Sequence, residues 1–111
     1  MPTANFYVRN THVRRFGDEA QRQFREFAAK RLTCGDIALR PEEISIRLIR
    51  VDESSLMMGE LELDMHAHEF AERVERQDQL CQELAAFLQD ELQLSDDVKV
   101  WLVLSQLGHS V

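Results

Sequence analysis

The chain has 111 residues, of which 44% are hydrophobic and 30% charged, with a formal net charge of −7. This is the size and composition of one globular domain, 1–111, able to bury about two thirds of the surface its unfolded chain exposes. The acidic balance gives a nucleic-acid partner no electrostatic support. No run of ~18 apolar residues and no basic-then-apolar leader is found, so no membrane partner is expected and the expected compartment is the cytoplasm. Cys34 and Cys81, the two cysteines, read as reduced thiols, not as a disulfide framework or a metal motif.

In chain order, Pro2 comes first and opens an extended stretch over about 3–9. If Met1 is removed, Pro2 becomes a secondary amine at the mouth of a strand. A free α-amino group titrates near ~8, and burial or nearby cations lower that value by disfavouring the ammonium form. Such a base suits proton abstraction next to a carbonyl at neutral pH. A helix follows over about 17–33, where Ala20, Phe24, Phe27, Ala28 and Leu32 form one apolar stripe and Gly35 marks a stop. A strand over about 44–51 alternates through Ile44, Ile46 and Leu48. The pattern blurs from Ile49 to Val51, which predicts a bulge.

The second half repeats this order. A strand over about 60–67 sets Leu61, Leu63, Met65 and Ala67 against Glu60, Glu62, Asp64, His66 and His68. A helix over about 69–92 carries Phe70, Val74, Cys81, Leu84 and Leu88 as its stripe, flanked by Leu80, Phe87 and Leu92. A last strand over about 98–105 sets Val98, Val100, Leu102 and Leu104 against Lys99, Trp101, Val103 and Ser105.

Two helices covering one greasy sheet face predict an α+β fold, an α/β two-layer sandwich. Two βαβ units form its four-stranded sheet, with both helices on one face. Right-handed crossovers make the strands of each half parallel. The other face, with Arg9, Arg47, Trp101 and the acidic and histidine residues, is too polar for a core, and self-association into a closed symmetric oligomer is the expected resolution. A ferredoxin-like βαββαβ domain, antiparallel overall, shares the element order.

Three stretches carry a more specific likeness. Met1-Pro2 opens a strand through Phe6-Tyr7-Val8-Arg9. Arg40-Pro41-Glu42-Glu43 leads into Ile44-Ser45-Ile46-Arg47. Leu94-Ser95-Asp96-Asp97 leads into Val98-Lys99-Val100-Trp101. With the duplicated βαβ order, the chain resembles the tautomerase superfamily, in particular members related to macrophage migration inhibitory factor and 5-carboxymethyl-2-hydroxymuconate isomerase. The resemblance implies a homotrimer that acts on a small-molecule carboxylate without any cofactor. Pro2 would be the catalytic base in enol–keto conversion, and Arg40, Arg47 and Trp101 would bind substrate. It also points to Arg14 or Arg15 as a substrate arginine. An arginine fork suits a carboxylate, and a cation near Pro2 lowers the amine's pKa.

Blander roles stand beside these. Arg47 can pair with Glu60 or Glu62 across the sheet, and Trp101 can anchor an oligomer interface. His66 and His68 share a strand face, but no third ligand stands at a metal-like spacing, so no metal is expected. The superfamily's Gly-rich turn before the second helix is missing from 65–71, and Thr3 and Ala4 replace bulkier apolar residues. These departures keep open a catalytically silent trimer acting as an interaction or regulatory module, besides a ferredoxin-like dimeric binding domain.

Overall fold

The structure, a computed structural model, describes residues 2–9, 15–35, 38–94 and 98–106. Period-two sequences become strands at β1 (Thr3–Arg9), β2 (Ser45–Val51), β3 (Leu61–His68) and β4 (Val98–Ser105). They form one sheet in the order β2-β1-β3-β4. β1 and β2 are parallel, as are β3 and β4, while β1 and β3 run antiparallel. Each βαβ unit therefore contributes a parallel pair, and the two units join through their first strands. This order rules out the ferredoxin-like arrangement.

The central strands alternate cleanly. Ala4, Phe6 and Val8 of β1 and Leu61, Leu63, Met65 and Ala67 of β3 are at most 1% exposed. Helices α1 (Asp18–Leu32) and α3 (Gln77–Leu92) supply the residues that cover them. Phe6 is the centre of this layer, meeting Phe16 and Phe24 edge-to-face at centroid distances of 4.3 and 5.0 Å, a favoured aromatic geometry.

Two local expectations are corrected. β2 has no bulge: seven consecutive pairs run from Thr3↔Ser45 to Arg9↔Val51. The blurred pattern arises because β2 is an edge strand with incomplete cover on both faces. Leu48, on the helix side, is 36% exposed, and apolar Ile49 and Val51 fall on the open side.

The second crossover helix is also not continuous. It consists of a short α2 (Ala71–Glu75) and then α3, separated at Arg76, where φ is −108° and ψ 14°. The side chain α2 turns inward is Arg73, 5% exposed, whereas Val74 is 46% exposed. The Arg73 guanidinium donates to the Leu32 carbonyl from Nε (3.0 Å) and Nη2 (2.8 Å), and to the His68 carbonyl from Nη1 (3.0 Å). It also lies 4.9 Å from the Phe70 ring centroid. Carbonyls at a helix end need donors, and Arg73 supplies them to the end of α1. The break at Arg76 then resets the helical phase, so the buried line becomes Leu80, Leu84, Leu88 and Leu92.

Candidate active site

Pro2 is buried at the start of β1. By parity its ring shares the helix-facing side with Ala4 and Phe6. One step beyond the paired register it lies between Ile44 and Ala67, both 0% exposed. Its carbonyl accepts the Ser45 N–H at 3.1 Å. Nitrogen and carbonyl of one strand residue point toward the same neighbouring strand. The Pro2 nitrogen therefore faces the β2 side, where the chain arrives from Arg40.

That approach is tightly made. Arg40 precedes a single 3-10 turn, Pro41–Glu43, with proline at its first position. Glu43 accepts the Arg40 N–H at 3.1 Å through Oε2, and its Oε1 lies 3.5 Å from Arg40 Nη2. From α1, Arg25 Nε donates to the Ile44 carbonyl (2.9 Å) and Nη2 to the Glu42 carbonyl (3.2 Å). The Arg40 side chain is 73% exposed, so its charge is available at the surface, shared with Glu43.

The other sequence candidates lie elsewhere in the protomer. Arg47 is on the open sheet face, where its Nη1 donates to Asn5 Oδ1 at 3.4 Å. The expected partner Glu62 instead accepts the Met58 N–H (2.8 Å) and the Gly59 N–H (3.4 Å). Trp101, 42% exposed, shares a cross-sheet row with Arg47: β2 Arg47, β1 Asn5, β3 Asp64, β4 Trp101. Three strand spacings, about 14 Å, separate the row's ends, so Arg47 and Trp101 do not converge within one chain.

Arg15 sits before α1, at the end of the sheet opposite Pro2, and its Nη1 reaches the Leu92 carbonyl at 3.5 Å. Arg14 lies outside the described residues. His66 Nε2 is 3.2 Å from Asp64 Oδ2 on the open face, and His68 packs against Phe70 with centroids 4.6 Å apart. Among the described residues no three His, Cys, Asp or Glu side chains converge as a metal site. Nor is any described helix long and apolar enough to cross a membrane.

Sequence reasoning missed Arg25, Glu43 and Arg73. Arg25 follows Phe24 of the apolar stripe, which marks it as flanking the core, but nothing local names the carbonyls it binds. Arg73 sits in a charged run, Glu72 to Arg76, that reads as a solvated face.

No protein-family model and no curated protein matches the chain by sequence. Solved structures do match by shape. MIF2 of Leishmania major aligns over 99% of this chain and 93% of its own, with a TM-score of 0.61 at 9% identity. A fused 4-OT, an asymmetric trimer, aligns over 96% and 91%, with a TM-score of 0.58 at 21% identity. A 5-carboxymethyl-2-hydroxymuconate isomerase of Deinococcus radiodurans R1 aligns over 96% and 83%, with a TM-score of 0.56 at 12% identity. Together with the parallel βαβ pairs joined through their first strands, these neighbours decide the fold. The chain has the tautomerase fold. Within the tautomerase fold, Pro2 stands beside Ile44, the residue at which the Arg40–Glu43 approach enters β2.

Proposed function

We propose that the protein, a single domain over 1–111, is a cytoplasmic homotrimeric tautomerase acting on a small carboxylated enol or keto acid. With Met1 removed, the Pro2 amine takes the proton from the enol oxygen. The electron pair of that O–H bond forms the carbonyl, and the C=C pair accepts the proton back from the Pro2 ammonium. Arg40 holds the substrate carboxylate. Arg47 and Trp101 act at the same pocket only if a neighbouring copy supplies one of them, because about 14 Å separates their strands within one chain. Trimer formation draws support from the fused 4-OT of similar fold, itself an asymmetric trimer.

One observation carries the reading: the Ser45 N–H···O=C Pro2 bond turns the Pro2 nitrogen toward the strand that Arg40 leads into. Intact-mass measurement on the cell-produced protein tests the premise, since a retained Met1 makes the Pro2 nitrogen an amide. Tautomerisation of phenylpyruvate or 2-hydroxymuconate by wild type and Pro2→Ala tests the chemistry. We expect a loss of at least 10²-fold in the variant; equal rates would sink the role of Pro2.

The competing reading is a catalytically silent trimer acting as an interaction module. It is favoured by the Glu43 carboxylate beside Arg40, which occupies the guanidinium a substrate carboxylate would need. A folded oligomer that neither binds nor turns over a small carboxylate would select it.

A further inference from the structure

One peptide group links a half-buried arginine to the proposed base. Its two ends are the Ile44 carbonyl and the Ser45 N–H. The carbonyl accepts from Arg25 Nε at 2.9 Å, and the N–H donates to the Pro2 carbonyl at 3.1 Å. The guanidinium, peptide and Pro2 carbonyl are therefore in series. A second Arg25 bond, Nη2 to the Glu42 carbonyl at 3.2 Å, engages the other side of the fork. A guanidinium stays protonated at any working pH. Bound to a carbonyl, it polarises that peptide and strengthens the bond its N–H donates.

We infer that Arg25 is a positioning residue for Pro2, tuning its amine through the Ile44–Ser45 peptide. The inference rests on the catalytic reading of Pro2 and names a residue of α1 that contacts neither substrate nor amine. Two effects follow from the geometry. The strand start is pinned, so the nitrogen keeps its direction toward β2. Electron density is also drawn from the Pro2 carbonyl, the group adjacent to the amine, which favours the neutral base over the ammonium. Among the described residues, the other charged or titratable groups of the elements meeting at this corner include Asp18 and Arg22, which line a cleft with Arg25, Arg40, Glu42 and Glu43 before β2, His66 and His68 on β3, and Arg73 on α2. All stay in place when Arg25 alone is replaced.

The chain has two prolines, and in protein freed of Met1 only Pro2 carries a titrating nitrogen. Proline-¹⁵N labelling therefore reports one amine, followed by NMR against pH in wild type, Arg25→Gln and Arg25→Lys. Arg25→Gln is expected to raise the Pro2 pKa by about half a unit, with Arg25→Lys in between because it keeps the charge but not the fork. The shift should persist in high salt, since bonded polarisation is not screened as a through-solvent field is. The ascending limb of the pH–rate profile should move upward by the same amount. A lowered melting temperature with an unchanged Pro2 pKa in both variants would overturn the inference and leave Arg25 a structural residue. The titration needs no turnover, so equal activity of Pro2→Ala would remove the catalytic reading and still leave this question decided.

Discussion

The two halves of the molecule repeat one element order and solve one problem with different means. In each, a crossover must hand the chain to an edge strand while backbone carbonyls near the Pro2 end need donors. The first half uses Arg25, on a continuous helix, to hold the Glu42 and Ile44 carbonyls from a half-buried position. The second half breaks its helix at Arg76 and buries Arg73 to hold Leu32 and His68. The repeat is thus one of topology, not of residues. The buried arginine reaches across halves and locks the end of α1 to the end of β3, while the half-buried one acts within its own half.

If burial is what separates the two arginines, substitution will separate them as well. Arg73→Leu strands two carbonyl groups that lose charged donors and should cost about 3–5 kcal/mol in urea unfolding. Arg25→Leu, with water able to replace its bonds, should cost only about 1–2 kcal/mol. Equal losses would break the distinction.

At the far end of the second half, Gln93 closes α3 with φ 53°, a conformation glycine adopts without steric cost. Gln93→Gly should therefore stabilise by about 0.5–1 kcal/mol, read as a raised urea midpoint, whereas α1, which ends in extended Thr33, offers no such gain. On the first half's side, Glu43→Gln keeps an acceptor for the Arg40 N–H but removes the competing carboxylate. It should lower KM for a carboxylated substrate by about 2–5-fold with kcat unchanged, the range of an exposed ion pair.

The smallest effect concerns pH. Burial raises the Cys81 thiol pKa, with a Leu102 backbone hydrogen bond opposing and Asp78 adding to the rise. A folded pKa above the unfolded one gives stability that is whole below the ordinary thiol value near ~8.5 and lost as pH climbs toward the raised value. Cys81→Ala should flatten that alkaline loss in melts taken across pH 8–10.

The fold was legible because its signals are local and periodic. Alternation at Ala4, Phe6, Val8 and at Leu61, Leu63, Met65, Ala67 is set by burial on one sheet face, and burial writes itself into residue type. The break at Arg76 was not legible, since a polar residue turned inward leaves no period and the carbonyls it serves belong to distant segments. β2 misled for a related reason: an edge strand with two partial covers has no single apolar face to display. Of the residues proposed for the site, Pro2 was marked by its place before a strand, and Arg40 by the resemblance alone. Their neighbour Arg25 was not marked, because its partners are backbone atoms 17 and 19 residues away. Parity placed Arg47 and Trp101 on one face, yet strand order alone determined that they stand at opposite edges of it.

The loop between β2 and β3 has a practical consequence. Arg9 holds it by the carbonyls of Glu53 (3.1 Å) and Ser55 (2.8 Å), while Met58 points outward at 71% exposure. Met65, on the strand that follows, is 0% exposed. Peroxide converts an accessible thioether to the sulfoxide and spares a sequestered one. The two methionines thus form a chemical clock within a few residues of each other: Met58 records the dose of oxidant, and Met65 records only the moments when the sheet has opened.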